Sequence, residues 1–303
     1  MNLLTHKPFD LHDLALFQLV VRRRSFTRAA TAAGLSQSAV TRQIQGMEQA
    51  LGLELLKRTT RSVEPTPAGE FLLREGARLV GDAESILRRL REEYASAPRE
   101  IRVEVSRSIS LAYLPGFFHA NLRKLSHVRY QVRYSRTDEI LPRLEADELD
   151  LGVLCSPPKL PNSLAAVHRF SDVFALIAPT AAAAEFERAE GRTRQRAWLA
   201  AQPWLLFDSS TTTGVQLRSW IKRRGLKLST LFELDSFDLI VNLVALGMGS
   251  SFVPARTLAL YARKKGFQRI FLPEPFEREL AVIIRRRATI PPHVSGFVSN
   301  ILF

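Results

Sequence analysis

Between residues 10 and 64, apolar positions fall at helical spacing in three short runs separated by capping residues. Asp10 can cap a first helix whose inner face holds Leu14, Phe17 and Val21. Ser25 can cap a second, with Phe26, Ala29, Ala30 and Ala33 on one side. Gly34 ends it, and Leu35 is expected to bury in the turn. Ser36 then caps a third helix with the stripe Val40, Ile44, Met47 and Leu51, stopped by Gly52. Two helices joined by a short turn containing Gly make a helix-turn-helix, and the small Ala29–Ala30 pair lets them approach closely. Thr66-Pro67 reads as an N-cap followed by proline at the first position of a long helix, expected to reach about Ser96 before Pro98. Along it Leu72, Gly76, Leu79, Ala83, Ile86 and Leu90 recur at four, three, four, three, four, the spacing of a dimerising seam.

From Arg99 the period changes. Ile101, Val103 and Val105 alternate with charged residues, as do Tyr130, Val132 and Tyr134, so both runs predict strands. Ser108 is expected to cap a helix reaching Leu122. A helical stretch at 138–148 leads to an apolar strand at 150–154. Further strands are expected at 173–178, 204–207, 251–253, 270–272 and 280–284, with helical patterns at 215–224, 237–246 and 255–265. Residues 180–196, with their four-alanine run, read as surface loop and helix. This alternation predicts an α/β fold with a largely parallel sheet, and about 200 residues suit two small subdomains.

Composition narrows the chemistry. A single cysteine, Cys155, excludes an internal disulfide framework and a cysteine-built metal centre, and six scattered histidines form no ligand pair; no metal and no cofactor are expected. No apolar run reaches the ~18 residues of a membrane span and no signal-peptide core precedes the first helix, so a cytoplasmic protein without a membrane partner is expected. The net charge of +13 favours polyanions, but it is spread, with +4 over residues 1–66 and +10 over 99–303, and it locates no surface. The third helix is more informative. Opposite its apolar stripe stand Gln37, Ser38, Thr41, Arg42 and Gln45, next to Ser36, with Ser25 and Arg28 at the start of the second helix. These side chains have the sizes and donors that reach base edges and phosphates in a major groove. A solvated polar face is the plainer alternative. The cationic run Lys57-Arg58-Thr59-Thr60-Arg61-Ser62 tips the balance, since Arg58, Thr59 and Arg61 suit a wing loop lying on the DNA backbone.

The chain resembles the LysR-type family of bacterial transcriptional regulators along its whole length. The N-terminal pattern rests on Leu14, Phe17, Ser25-Phe26-Thr27, Ala29-Ala30 and the run Leu35-Ser36-Gln37-Ser38-Ala39-Val40-Thr41-Arg42-Gln43-Ile44. It continues through Glu48, Leu51-Gly52, Leu55, Arg58 and Thr66-Pro67-Ala68-Gly69. The C-terminal part matches more loosely through Leu114-Pro115, Leu149-Asp150-Leu151-Gly152, Leu243–Gly249 and Val253-Pro254. Ser38, Met47 and Leu56 depart from the usual proline, leucine and phenylalanine. The resemblance implies a winged helix-turn-helix over residues 1–66, a dimerising linker helix over 67–98, and a periplasmic-binding-protein-like effector domain over 99–303. Subdomain I would hold about 99–168 and 270–303, and subdomain II about 169–269. It also implies double-stranded promoter DNA as partner and self-association as a dimer, usually as a tetramer.

In such a fold a small effector sits between the subdomains, at strand C-termini and helix N-termini. Ser108, Thr137 and the run Ser209–Thr213 place hydroxyls there, and Ser108, Thr137, Thr211, Thr212 and Thr213 match positions where the family contacts effectors. Ser106, at the end of its strand, and Phe252 complete the candidate set, although Phe252 and the neighbours of Gly247–Gly249 also read as core and hinge packing. Hydroxyls and free amides at helix N-termini suit a carboxylate. Arg107 or Arg136, if turned inward, would strengthen that preference. Cys155 faces the same cleft in the family; a passive wall is favoured over a redox sensor, since no resolving cysteine exists. Two other classes compete. An enzyme with a DNA-binding appendage lacks any Gly-x-Ser-x-Gly elbow, phosphate loop or metal cluster, and a Ser108–His119 pair has nothing in its favour. An effector-independent architectural protein would not need the hydroxyl-lined cleft.

Overall fold

Reciprocal hydrogen bonds between Asp10 and Asp13 start the first helix, α1 (Leu11–Arg23), as a capping box. Ser25 accepts from the Arg28 amide at 3.3 Å to open α2 (Phe26–Ala33), and Ser36 accepts from the Ala39 amide at 3.2 Å to open α3 (Gln37–Leu51). The computed structural model describes residues 7–58, 63–94, 99–109, 111–116, 118–119, 128–286 and 290–301. Thr59, Thr60, Arg61 and Ser62, and the expected end of the linker helix, lie outside these residues. The chain divides near residue 97 into two compact units.

In the N-terminal unit, Leu14, Phe17, Ala29, Ala30, Val40, Ile44 and Met47 form one core. Leu35 departs from expectation. It is 37% exposed, because the Leu35 amide closes the turn onto the Ala30 carbonyl and its side chain points outward. A two-strand hairpin follows, β1 (Leu56–Arg58) antiparallel to β2 (Val63–Pro65). Glu48 on α3 holds its base, accepting from the amides of Leu55 (2.9 Å) and Leu56 (3.1 Å). Thr66 locks the other side. Its amide donates to the Leu55 carbonyl, its hydroxyl donates to the Glu54 carbonyl at 2.7 Å, and the same oxygen accepts from the Gly69 amide at 3.1 Å. That last bond caps α4 (Pro67–Tyr94). A Cβ at Gly69 would sit 2.1 Å from the Leu55 carbonyl oxygen, so only glycine lets the helix start here.

The seam along α4 splits in two. Leu72 is half-buried against the unit's own core, and Gly76 lies on Leu14. Beyond them Leu79, Ile86, Leu87 and Leu90 are exposed and Ala83 is half-buried, and Phe71 is exposed before them.

The second unit runs β3 (Arg99–Ser106), β4 (Val128–Ser135), α5 (Thr137–Glu145), β5 (Leu151–Cys155), β6 (Leu164–Pro179), α6 (Thr180–Arg188), α7 (Arg192–Ala201), β7 (Pro203–Phe207), α8 (Thr212–Arg223), β8 (Ser229–Leu234), α9 (Phe237–Ala245), β9 (Ser251–Pro254), β10 (Phe267–Ile270), β11 (Glu277–Arg285) and α10 (Pro292–Ser299). Short 3-10 turns lie at Leu111–Tyr113 and Ala255–Tyr261. Seven strands join in the order β10-β6-β11-β5-β3-β4, with β9 also on β6, while β7 and β8 pair separately. One apolar core gathers Ile101, Val105, Leu151, Leu280 and Phe297; another gathers Trp204, Phe207, Leu217, Phe237 and Val253. The long strands β6 and β11 pair from Leu164–Arg285 to Val173–Glu277 and pass between the two cores.

Several expectations are corrected. The sheet is mixed, with β3–β4, β3–β5 and β7–β8 parallel and the ladders of β11 and of β6 antiparallel, because the strands that cross between the halves run against their neighbours. The strand expected at 173–178 begins at Leu164. The helix expected at 255–265 is a 3-10 turn. Ser108 bonds back to Ser106, and the next described turn begins at Leu111, followed by helical residues at 114–116 and 118–119. β8 and α10 were not anticipated.

Candidate functional site

Four strand ends and two helix N-termini meet at a cavity of about 240 Å³ between the two cores of the second unit. One wall carries Ser106, Arg107 and Ser108 after β3, and Arg136, Thr137, Asp138 and Leu141 at the start of α5. The other carries Phe207 and Asp208 at the end of β7, Ser210 through Thr213 at the start of α8, and Asp235 after β8. The Ser106 hydroxyl lies 3.1 Å from that of Ser108 and 3.4 Å from that of Thr137, so the first wall is a connected hydroxyl cluster. On the second wall Thr211 caps α8 by accepting from the Gly214 amide at 3.0 Å. A Cβ at Gly214 would lie 1.9 Å from the Asp208 carbonyl oxygen, so glycine allows α8 to begin directly against the end of β7. The N-termini of α5 and α8 border the cavity with the positive ends of the two dipoles, the Glu139 amide being bonded to the Arg136 carbonyl and the Gly214 amide to Thr211.

Beneath the floor lies a buried ion pair. Arg278 on β11 donates from Nε and Nη2 to one Asp172 oxygen, each at 2.8 Å, and both side chains are at most 1% exposed. The other Asp172 oxygen accepts from the Tyr113 hydroxyl, whose pKa is pushed up by burial and by that carboxylate. Arg278 directs two further donors to the two walls, Nη2 to the Ser108 carbonyl at 2.8 Å and Nη1 to the Thr213 hydroxyl at 2.5 Å. Its guanidinium also faces the Phe174 ring at 5.1 Å and the Phe237 ring at 5.6 Å. One side chain therefore ties both halves of the cleft to the crossing strands.

The expected residues divide accordingly. Ser106, Ser108, Thr137, Thr211, Thr212 and Thr213 line the cavity. Cys155 does not: it is buried behind Thr213, its Sγ 3.5 Å from Gln216 Oε1, and burial pushes its thiol pKa up against the opposing influence of Arg278. A buried thiol held protonated is poorly suited to redox sensing. Phe252 is also misplaced. It is 1% exposed in the second core, stacked on Trp204 at 4.9 Å with Trp220 edge-on, and lines no part of the cavity. Arg107 and Arg136 both reach the cavity, each with a carboxylate partner: Asp235 at 3.2 Å and Asp138 at 3.1 Å. The aspartates, Phe207 and the Asp172–Arg278 pair were missed. Asp208 stands directly between a strand and its helix cap, a visible signal; Arg278, flanked by two glutamates, reads as surface.

In the N-terminal unit Ser36, Gln37, Ser38, Arg42 and Gln45 are exposed on α3 and Thr41 half-buried. Ser25 and Arg28 stand at the start of α2, and Thr27 donates to Gln37 at 2.9 Å, fixing α2 against α3. No group of side chains suited to holding a metal ion occurs among the described residues.

A winged helix-turn-helix followed by a two-core domain with a polar cleft defines a ligand-responsive DNA-binding protein. Residues 11–70 match the bacterial regulatory helix-turn-helix proteins of the lysR family, and residues 95–302 match the LysR substrate binding domain. The chain belongs to the LysR family of bacterial transcriptional regulators, and these are not enzymes. It is 27% identical over 270 residues to the HTH-type transcriptional regulator YofA of Bacillus velezensis, covering 87% of each chain. It is 25% identical over 291 residues to the transcriptional activator IlvY of Haemophilus influenzae, covering 95% of this chain and 98% of that one. In fold it is similar to full-length CbnR in complex with its target DNA, with a TM-score of 0.65, 22% identity and coverage of 97% of this chain and 99% of that one. Full-length OxyR from Pseudomonas aeruginosa gives a TM-score of 0.69 at 19% identity, over 98% and 95%.

Asp172→Ala should lower the stability of the C-terminal unit by about 3–5 kcal/mol, because it strands a fully buried guanidinium. All three tryptophans, Trp198, Trp204 and Trp220, lie in this unit, so urea unfolding followed by their fluorescence reads it directly. Asp172→Leu combined with Arg278→Met should recover much of the loss. A single mutant as stable as the parent would remove the pair from this role.

Proposed function

We propose that this regulator binds promoter DNA as a dimer joined through α4, assembles as a tetramer, and responds to a small carboxylate-bearing effector in the cleft. The observation that carries the effector reading is the Ser106–Ser108–Thr137 hydroxyl cluster beside two helix N-termini, an arrangement of donors suited to an anionic oxygen. Effector binding favours one closure of the cleft, and that closure alters how the assembly spaces its helix-turn-helix pairs on DNA and bends it. Promoter DNA as the partner implies the cytoplasm as the place of work; no helix among the described residues is long and apolar enough to cross a membrane.

At the DNA, α3 enters the major groove with Ser36, Gln37, Ser38, Thr41, Arg42 and Gln45, Ser25 and Arg28 approach the backbone, and Arg58, Thr59 and Arg61 follow it from the wing. The exposed apolar residues Leu79, Ile86 and Leu90, with Ala83, support the dimer seam. Leu72 contributes mainly to its own unit's core.

Three outcomes are expected. Arg42→Ala should cost about 1–3 kcal/mol of specific DNA binding and flatten its salt dependence, read by titrating a labelled promoter fragment at several salt concentrations. Leu79→Glu should shift the protein towards monomer in sedimentation velocity, and an unchanged dimer would move the interface elsewhere. In thermal-shift measurements, one or more small carboxylates, but not neutral controls, should stabilise the protein, by about 2.7 kcal/mol at a hundred times the dissociation constant. Thr137→Val should abolish that stabilisation while leaving promoter affinity unchanged. If the response survives in Thr137→Val, the hydroxyl cluster is not the effector's seat.

A further inference from the structure

The charges at the cleft mouth follow from strand register. Ser106 and Ser135 are paired as the last residues of the parallel strands β3 and β4, so the next residues, Arg107 and Arg136, stand side by side on one wall. Phe207 and Leu234 are paired as the last residues of the parallel strands β7 and β8, so Asp208 and Asp235 stand side by side on the other. Neighbouring strands lie about 4.8 Å apart, which sets the spacing within each pair. Two arginines thus face two aspartates across the cavity. Arg107 meets Asp235 at 3.2 Å, and Arg136 lies close enough to Asp208 to help hold its carboxyl below the usual range, after the larger effect of the Ser210 amide. With Asp138 added, the lining carries three carboxylates against two guanidinium groups.

A simple anion fits this lining poorly. It would satisfy the arginines while leaving Asp208 and Asp235 facing its negative charge without their counter-ions. A simple cation has the converse fault, since it takes Asp235 from Arg107, while Arg136 keeps Asp138. A molecule carrying both charges replaces each cross-cleft attraction with one of its own.

We propose that the effector is a zwitterion of the α-amino acid class. Its carboxylate sits on the wall of Arg107, Ser108, Arg136 and Thr137, and its ammonium lies between Asp208 and Asp235. The inference rests on the cleft being the effector site and names the class of molecule that occupies it. The Arg107–Asp235 pair spans the two walls of the cleft, and the ligand's two charges are inserted into that pair rather than added to one side of it. Both partners are more than half exposed, so the pair by itself is weak and gives way readily.

The test uses the full-length protein and three matched series: the standard L-amino acids, the carboxylic acids that lack their α-amino group, and the amines that lack their carboxylate. Binding is read by calorimetry and by thermal shift. At least one amino acid is expected to bind, with its matching acid and amine weaker by about tenfold or more. Asp235→Asn, an exposed and nearly isosteric change that the fold tolerates, should erase the preference for the amino acid over its acid. Asp208→Asn, read in the same way, should weaken the amino acid more than the acid. If an acid binds as well as its amino acid and loses that binding in Thr137→Val, the zwitterion is wrong and the carboxylate cleft stands. An amine that binds as well as its amino acid also overturns the zwitterion, as does a preference unaffected by both aspartate variants. If no member of the three series binds, the carboxylate cleft and the zwitterion fall together.

Discussion

The C-terminal unit is organised around one buried charge. Arg278 has no exposed side-chain surface, and a guanidinium can be held there only if its charge and its donors are all answered. Asp172 supplies the charge, the Ser108 carbonyl and Thr213 hydroxyl take further donors, and two aromatic rings cover its faces. These partners come from β6, from the turn after β3, from α8 and from α9. The pair adds little net free energy over a well-packed apolar alternative, yet breaking it is costly. Its effect is therefore on geometry. The two walls of the cleft are registered on the same planar group, at the place where β6 and β11 pass from one core to the other.

Register does the rest. Parallel pairing of β3 with β4 and of β7 with β8 puts equivalent residues level, so each wall presents a matched pair of side chains immediately beyond its strand ends. Gly214 brings the first turn of α8 within contact of the same level, which a side chain there would prevent. The N-terminal unit solves a similar problem by different means. Glu48 reaches back to the base of the hairpin, and Thr66 bonds to Glu54 and Leu55 while capping α4, so the wing and the long helix are both positioned by α3.

Much of this was legible in the residues, and for definite reasons. The N-terminal helices carry side-chain caps at Asp10, Ser25, Ser36 and Thr66, and caps are local signals. The hydroxyls of the cleft were legible for the same reason, standing at strand ends before helices. What could not be read depends on long-range pairing. The direction of β11 relative to β5 and β6 leaves no local trace, so strand–helix alternation alone predicts a largely parallel sheet. Arg278, between Glu277 and Glu279, has the pattern of a solvated strand, and its burial is imposed by Asp172 a hundred residues away. Phe252 and Cys155 failed in the opposite sense. Cys155 stands at a strand end, as the cleft hydroxyls do, but it lies one layer behind Thr213, and strand alternation turns Phe252 into the Trp204 stack.

The same buried charge also sets the character of the cavity floor. An arginine only donates, so a hydroxyl that receives its hydrogen bond must aim its own proton elsewhere. Thr213 receives such a bond from Arg278, so its own proton is directed to another acceptor, and the Cys155 sulfur lies beside it on the buried side. The Ser108 carbonyl, which would otherwise be an acceptor near the site, is occupied by the same guanidinium. The helix amides and the Ser106–Ser108–Thr137 cluster add donors at the same level. Carboxylate acceptors stand at Asp208 and Asp235, just beyond the ends of one strand pair, while the third, Asp138 on the first wall, is taken up by Arg136. The cleft is therefore divided by chemistry as well as by fold, with a donor-rich floor and first wall facing an acceptor-bearing rim. That division follows from where Arg278 is placed and from which strand ends are level.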